Sequence, residues 1–458
     1  MFPLFLIALF AGKLSALACR ILAPTRGSNL PGVVALKFDR NFLSHVRGVQ
    51  PGKTIFITGT NGKSTATTMV VHALREAGLT VATNTEGANM MPGVATVLIR
   101  STKITRGFTS DFLVLEIDER SLATISQQIP PGHLGVLNIQ KDQVQRNGEP
   151  DYIYQKIKTV VDSLPEVKLY LNDDEPRSRS LGLPPNALTQ GEPPSAGSTF
   201  SVTAWDEQSH HDQWEVTMPC PRCAAEIDFH TRTIAGMGEF LCHRCNFGSR
   251  QGSSTVIDTV DFLAQSFTCG GETYHLGYLA PYFLYNYAFC LCLCTQLGID
   301  GATLVRALES FTNISGRMES FTHQGKTINY MRIKQENPET LQSALDTLAR
   351  DSSPKVFVLG PAVIDDFIPH YSNTFYTFDC DFGPLVDSGL DRCICFGDTI
   401  AWDTANRLIY AGVPREKIDI IDSDHDQQIL NAIAACEATN VYLITWIKKF
   451  QKLKEQAS

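Results

Sequence analysis

The heptapeptide TGTNGKS at Thr58–Ser64 limits what this chain can fold into more than any other feature. It follows a short apolar run of buried-strand character, Thr54–Thr58. It precedes a helix-forming stretch, Lys63–Ala77, for which Gly78 supplies a C-cap. A glycine-rich turn between a strand and a helix N-terminus aims backbone N–H groups at one point, and the helix adds partial positive charge there. Gly59, Thr60, Asn61, Gly62 and Lys63 read as the wall of a phosphate cradle. Lys63 is the cation reaching the β- and γ-phosphates, and Ser64 is a hydroxyl ligand for Mg2+. An isolated turn with these letters would lack the flanking strand and helix. The pattern therefore predicts ATP and Mg2+ binding.

Further strand-like runs stand at Phe112–Ile117, Leu134–Asn138 and Lys168–Asn172, with helix-compatible segments between them. Such alternation predicts an α/β fold: a parallel sheet with helices on both faces. Glu116 and Asp118 alternate at the end of the first of these runs and so project to one face. Ligands of open α/β sheets bind at carboxyl ends of strands, where a carboxylate completes the coordination of nucleotide-bound Mg2+. Glu116 closes an apolar run and reads as that ligand. Asp118 fits either the same role or a solvated acidic strand end, which Glu119 and Arg120 suit.

Cys220-Pro-Arg-Cys223 and Cys242-His-Arg-Cys245 are two CxxC knuckles separated by 18 residues. The spacing matches a tetrahedral four-thiolate zinc site, closed and therefore structural. Gly248 is expected to serve the tight turn of such a ribbon. A redox pair would need a thioredoxin-like βαβ setting, which is absent here. The other nine of the 13 cysteines, Cys290, Cys292 and Cys294 among them, fall mostly in apolar runs and read as small core residues. An odd number of thiols diluted over 458 residues is not a secreted disulfide scaffold.

The stretch Met1–Leu22 is the most apolar in the chain. Lys13 and Arg20 interrupt it, leaving a run of 12 residues, where a bilayer span needs ~20. A secretory signal would carry its charge ahead of the apolar run. A helix docked on the protein by its apolar face is expected, with a helix lying in the membrane interface as the second reading. Pro184, Pro185, Pro193 and Pro194 mark loops, and strand candidates resume at Val356–Leu359, Arg392–Phe396, Lys417–Ile421 and Val441–Thr445. Three parts are expected. They are an N-terminal helical segment (1–45), an ATP-binding domain (46–312) with a zinc ribbon inserted at about 200–255, and a Rossmann-like α/β domain (313–458). A net charge of −9 argues against a dedicated nucleic-acid binder and fits a cytoplasmic enzyme, while 43% hydrophobic content excludes a disordered chain.

These motifs together resemble the Mur ligase superfamily, and within it the MurT-type subunits of lipid II isoglutaminyl synthase. The resemblance runs from about Ala35 to the end of the chain. It is carried by TGTNGKS, NTEGANM at Asn84–Met90, LEIDERS at Leu115–Ser121 and NIQKDQVQRNGEPD at Asn138–Asp151. It continues through LNDDEP at Leu171–Pro176, SGRM at Ser315–Met318 and FDCDF at Phe378–Phe382. The inserted zinc ribbon is a mark of this branch.

The resemblance implies a Mur ligase-type central ATPase domain followed by a Rossmann-like module. It implies an ATP-dependent carbon–nitrogen ligase subunit that phosphorylates the D-glutamate α-carboxyl of the lipid II stem peptide. Ammonia from a GatD-type glutaminase partner would then give D-isoglutamine, a step of peptidoglycan synthesis at the inner face of the cell membrane. Glu116 matches the Mg2+ glutamate, Asn138 and Asn286 match asparagines near the adenine, and Arg317 matches an arginine approaching the γ-phosphate.

The chain departs from the family pattern at several points. Gln143 stands where Mur ligases often carry a metal-binding histidine, and Phe283 where MurT-type proteins usually carry an asparagine. Asn337-Pro338 keeps only part of a family signature. The aspartate expected to complete a triad with the partner's Cys and His falls on Asn373, with Asp365 or Asp366 as substitutes after a shift. Two other readings are compatible with these departures: a related ligase with a different carboxylate or amine substrate, and a non-catalytic nucleotide-binding regulatory subunit.

Overall fold

The computed structural model describes residues 2–22, 29–84, 88–142, 148–183, 197–203, 218–231, 233, 237–249, 253–262, 264–277, 279, 281–312, 318–334, 337–361, 375–397 and 399–457. These divide into two compact units. One holds the described residues up to Thr312 except Lys141 and Asp142; the other holds those two and everything from Met318 on.

The strands of the first unit are β1 (Thr54–Thr58), β2 (Val81–Thr83), the short pair β3 (Thr102–Lys103) and β4 (Gly107–Phe108), β5 (Phe112–Glu116), β6 (His133–Val136), β7 (Lys168–Asn172) and β8 (Gly197–Val202). Then come β9 (Asp228–Phe229), β10 (Phe240–Cys242) and β11 (Phe247–Gly248), which form a small separate sheet, and β12 (Thr255–Asp261), β13 (Ser266–Cys269) and β14 (Glu272–His275). The main sheet has the order β14-β13-β12-β8-β7-β6-β1-β5-β2. Its strands from β2 across to β12 are parallel, and β13 and β14 add an antiparallel edge. Every residue of β1 is buried, as expected of a central parallel strand covered on both faces. The chain leaves β1 toward β2 and β5 on one side and continues through β6 on the other. The carboxyl end of β1 is thus the point where strand order reverses, the usual ligand crevice of such sheets.

The N-terminal helices are α1 (Phe2–Leu22), α2 (Leu30–Phe38) and the single turn α3 (Phe42–His45). Helix α4 (Lys63–Glu76) follows β1, and α5 (Met91–Ser101) follows β2. Helices α1 and α2 join the core of the first unit, where Ala8, Leu9, Ala35 and Phe42 cluster with Leu98, Ile99 and Leu113. Small residues make the approach. A Cβ on Gly12 would lie 2.6 Å from Ile99 Cδ1, and one on Gly32 would lie 1.8 Å from the Pro92 carbonyl oxygen. Helix α1 runs unbroken through Lys13, whose ammonium donates to the Ile99 carbonyl at 2.9 Å. The docking therefore differs from the expected one. Beside Phe5 and Leu9, the buried face is built of small residues, and most of the large apolar side chains of α1 point outward.

The second unit contains β15 (Met318–His323), β16 (Lys326–Met331), β17 (Lys355–Gly360), β18 (Leu390–Phe396), β19 (Ile418–Ile421) and β20 (Asn440–Thr445) in the order β15-β16-β20-β17-β18-β19. All neighbours except β15 and β16 pair in parallel, and both faces carry apolar clusters, which gives the Rossmann-like layout. The hairpin β15–β16 has no sequence signature: its second strand mixes Lys, Thr and Asn with Ile, Tyr and Met.

The glycine contact under α2 yields a direct test. Gly32→Ala should cost about 1–3 kcal/mol, as overpacking of a tight core does, and expose α1 and α2 to protease. Gly52→Ala, whose Cβ would meet nothing within 4 Å, should leave the thermal melt nearly unchanged.

Candidate nucleotide site and zinc ribbon

The loop after β1 is clasped by the loop after β6. The Thr60 N–H donates to the Asn138 carbonyl at 2.9 Å. The Asn61 N–H donates to Asn138 Oδ1 at 2.8 Å, and Asn138 Nδ2 returns a bond to the Asn61 carbonyl at 3.1 Å. Gln140 accepts from Asn61 Nδ2 through its side chain and donates its N–H to Thr60 Oγ1, both at 2.9 Å. These bonds fix the loop and take up the backbone N–H groups of Thr60 and Asn61. Gly59 and Gly62 take φ of +129° and +85°, backbone that side chains disfavour, and Gly62 caps α4. A Cβ on Gly62 would lie 2.2 Å from Asn286 Oδ1. Asn138 and Asn286, expected beside an adenine, thus lie against the phosphate loop, and Asn138 is committed to its backbone.

Lys63 folds back over the loop. Its ammonium donates to the Gly59 carbonyl, to the Thr60 carbonyl at 3.3 Å, and to Glu119 Oε1 at 2.7 Å. Ser64 is exposed at the first turn of α4. Glu116 ends β5 opposite Ile57 of β1 and is buried. Its Oε1 accepts from Asn89 at 3.0 Å, while its buried Oε2 finds no hydrogen-bond partner among the described residues. A buried carboxylate oxygen left unmatched costs free energy, and a hard cation is the natural complement. The glycine cradle and this oxygen fit a phosphate and a divalent ion. Asp118 is differently placed: the Arg120 guanidinium binds both its oxygens, at 3.0 and 3.1 Å. Burial raises the Asp118 carboxyl, but the Arg120 hydrogen bond and charge outweigh it and leave it below its ordinary value. Glu119, which reads as a solvated strand end in the sequence, is the residue that holds Lys63. No local pattern signals this, because the two are brought together by the sheet.

The turn after β7 connects this loop to the ribbon. Glu175 accepts from the Arg177 and Ser178 N–H groups, capping the helix Pro176–Leu181, and from the Ile139 N–H at 3.2 Å, within the clasping loop. Asp174 Oδ2 accepts from the Val202 N–H at 2.8 Å and from the Tyr285 hydroxyl at 3.0 Å. Burial pushes the carboxyls of Asp174 and Glu175 up to about 7. Arg179 pairs with Asp173 at 2.5 Å and donates to the Gly248 carbonyl of β11 at 2.6 Å, while the Asp174 carbonyl accepts from the Gly238 N–H.

In the ribbon, the Sγ atoms of Cys220, Cys223, Cys242 and Cys245 all lie within 4.8 Å of one another. Each knuckle closes alike. The Ala224 N–H donates to the Cys220 carbonyl and the Asn246 N–H to the Cys242 carbonyl, with φ of +58° and +56°. Ala224 and Asn246 therefore make the tight turns assigned to Gly248. Gly248 sits in β11, where a Cβ would lie 2.6 Å from the Phe240 carbonyl oxygen. The apolar core beneath is small, with Leu183, Ile227, Phe240 and Phe247 at its centre. A core of that size needs a staple, and four convergent thiolates fit zinc. The other nine cysteines are all buried, and no cysteine is in a disulfide.

In the second unit, Lys141 and Asp142 are stitched to the start of the helix Pro338–Ala349. Asn337 caps that helix and donates to the Lys141 carbonyl at 2.7 Å. Glu339 accepts from the Lys141 N–H at 3.1 Å, and the Lys141 ammonium pairs with Asp379 at 2.8 Å. Arg317, Gln143, Asp365, Asp366 and Asn373 lie outside the described residues.

A model of the Mur ligase middle domain matches residues 57–216, and one of the MurT ligase C-terminal domain matches residues 335–447. The chain belongs to the Mur ligase superfamily, in its MurT-type branch. It is 27% identical over 452 residues to the lipid II isoglutaminyl synthase (glutamine-hydrolyzing) subunit MurT of Streptococcus pneumoniae, covering 98% of this chain and 96% of that one. The Staphylococcus aureus subunit of the same description is 26% identical over 393 residues, 85% of this chain and 84% of that one. Among solved structures, a pseudomurein peptide ligase type C from Methanothermus fervidus aligns over 92% of this chain and 81% of its own, with a TM-score of 0.69 at 17% identity. MurF from Acinetobacter baumannii aligns over 92% and 80%, with a TM-score of 0.62 at 15% identity. At those identities the structures carry the fold alone: an α/β Mur ligase architecture with a Rossmann-like C-terminal domain.

The ribbon geometry predicts about one zinc per chain by metal analysis, since four thiolates close a single tetrahedral site. Cys242→Ser should lose that zinc and lower the melting temperature by several degrees or more, because structural zinc contributes folding free energy. Full zinc retention in the variant would contradict the assignment.

Proposed function

We propose that the chain is the ATP-dependent amide-forming subunit of a lipid II isoglutaminyl synthase. Its substrate is the D-glutamate α-carboxyl of the lipid II stem peptide, and its product is D-isoglutamine. What supports this is a phosphate loop beside a buried Glu116 oxygen with no hydrogen-bond partner among the described residues, in a chain matched nearly end to end by a subunit of that description. A carboxylate is a poor electrophile. Attack of its oxygen on the γ-phosphorus of ATP, with ADP leaving, gives an acyl phosphate. Ammonia then attacks the acyl carbon, loses a proton and expels phosphate, leaving the amide. Exclusion of water protects the acyl phosphate from hydrolysis.

Gly59 and Gly62 let the loop wrap the phosphates, and Thr60 and Asn61, whose N–H groups bond Asn138, fix the shape of that wall. Lys63 exchanges its carbonyl partners for phosphate oxygens, and Glu119 orients it. Ser64 and Glu116 would hold Mg2+, which neutralises phosphate charge when bound. Asn138 and Asn286 stand near the adenine, and Asn138 also braces the loop. Arg317 takes the role of stabilising charge on the transferring phosphoryl group, as an arginine aimed there does. Ammonia comes from a GatD-type glutaminase partner, and Asp365 or Asp366 is the candidate that completes the partner's triad. The reaction is placed in the cytoplasm, where ATP and the precursor's head group meet.

The test is ADP release with lipid II, supplied in turn with ammonium and with glutamine plus the partner. Wild type should release ADP with both nitrogen sources. Lys63→Ala and Glu116→Gln should each lose about a hundredfold or more, the scale of removing one stabiliser of transition-state charge. Tight ATP binding with no turnover on either nitrogen source would overturn the ligase reading.

A further inference from the structure

Helix α1 has two apolar faces, and only one is buried. Ala8, Leu9 and Cys19 pack inward, while Ile7, Phe10, Leu14, Leu17 and Ile21 lie 49% to 71% exposed. These five recur every three or four residues and so form a single stripe along the helix. Helix α2 adds exposed Leu30, Val33 and Phe38. A contiguous apolar surface of this length is rare on a soluble protein and marks an interaction site.

The N-terminal segment that carries the stripe is also cationic. Seven of the first 53 residues are Lys or Arg and only one, Asp39, is acidic, in a chain whose net charge is −9. Asp39 is buried and bonded to His45 at 2.6 Å. Arg20, Lys37 and Arg40 are exposed. A second copy of this chain would bring two cationic rims together across the stripe, a like-charge contact that disfavours pairing. An anionic lipid surface complements both features: its acyl boundary takes the stripe and its head groups take the cations.

By length and composition α1 is also apolar enough to cross a membrane. Crossing would tear Gly12 from Ile99 and Lys13 from the Ile99 carbonyl, whereas lying on the surface keeps both contacts. We infer that the outer face of α1, with the exposed cations of α1 and α2, docks this protein on the surface of an anionic lipid bilayer. The inference rests on this surface alone and needs nothing from the ligase reading.

The test is vesicle flotation of the full zinc-loaded chain. Phosphatidylglycerol-containing vesicles are compared with phosphatidylcholine vesicles at low and high salt. The protein should float with the anionic vesicles, less so at high salt and less so with phosphatidylcholine. Phe10→Glu/Leu14→Glu should weaken binding at least about tenfold, as burying two charges in place of two apolar anchors implies. Arg20→Glu/Lys37→Glu should lower binding to anionic vesicles and abolish its salt dependence. Unchanged zinc content and circular dichroism show that the variants are folded. Three results would overturn the proposal: wild type that stays with the soluble fraction, apolar-face variants that float like wild type, or a wild-type dimer that the apolar-face variant converts to monomer without any flotation.

Discussion

The reciprocal amide pair between Asn61 and Asn138 is the contact on which the nucleotide site depends. A phosphate loop must present N–H groups to solvent while its own backbone stays fixed. Here the loop after β6 fixes that backbone by accepting from the Thr60 and Asn61 N–H groups, and the glycines and the start of α4 are left for a ligand. The pair exists only because β1 and β6 are parallel neighbours in register, with Thr58 beside Val136. Sheet order therefore decides the shape of the site.

The same clasp ties the ribbon to the site. Glu175 reaches the Ile139 N–H from the turn after β7, and the residues beside it grip the ribbon through Arg179, Gly248 and Gly238. A small sheet with little core of its own is thereby bonded to the turn that braces the phosphate loop. The buried Asp173–Arg179 pair adds specificity of geometry, since an ion pair out of water contributes little net stability.

Much of this was legible in the residues. The phosphate loop and the cysteine knuckles are local patterns whose chemistry follows from spacing, and β1, β5, β6, β7, β17, β18, β19 and β20 announce themselves as apolar runs between turns, whereas β15 and β16 do not. What stayed hidden depends on contacts between distant positions. Glu119 looks like surface charge until β5 brings it to Lys63. Gly248 looks like a turn residue until β10 lies against it. Nothing local in the sequence shows that the Asn138 amide meets the backbone of Asn61. The outer stripe of α1 was hidden for another reason: an apolar helix reads as a core helix, and only the packing shows that most of its large side chains point away.

The central claim is that a carboxylate is activated by direct phosphorylation at this loop. It is tested most directly by following heavy oxygen placed in the D-glutamate α-carboxyl of the substrate. Attack on the γ-phosphorus puts one labelled oxygen into the phosphate released with each amide formed. Amide formation with unlabelled phosphate would contradict the account.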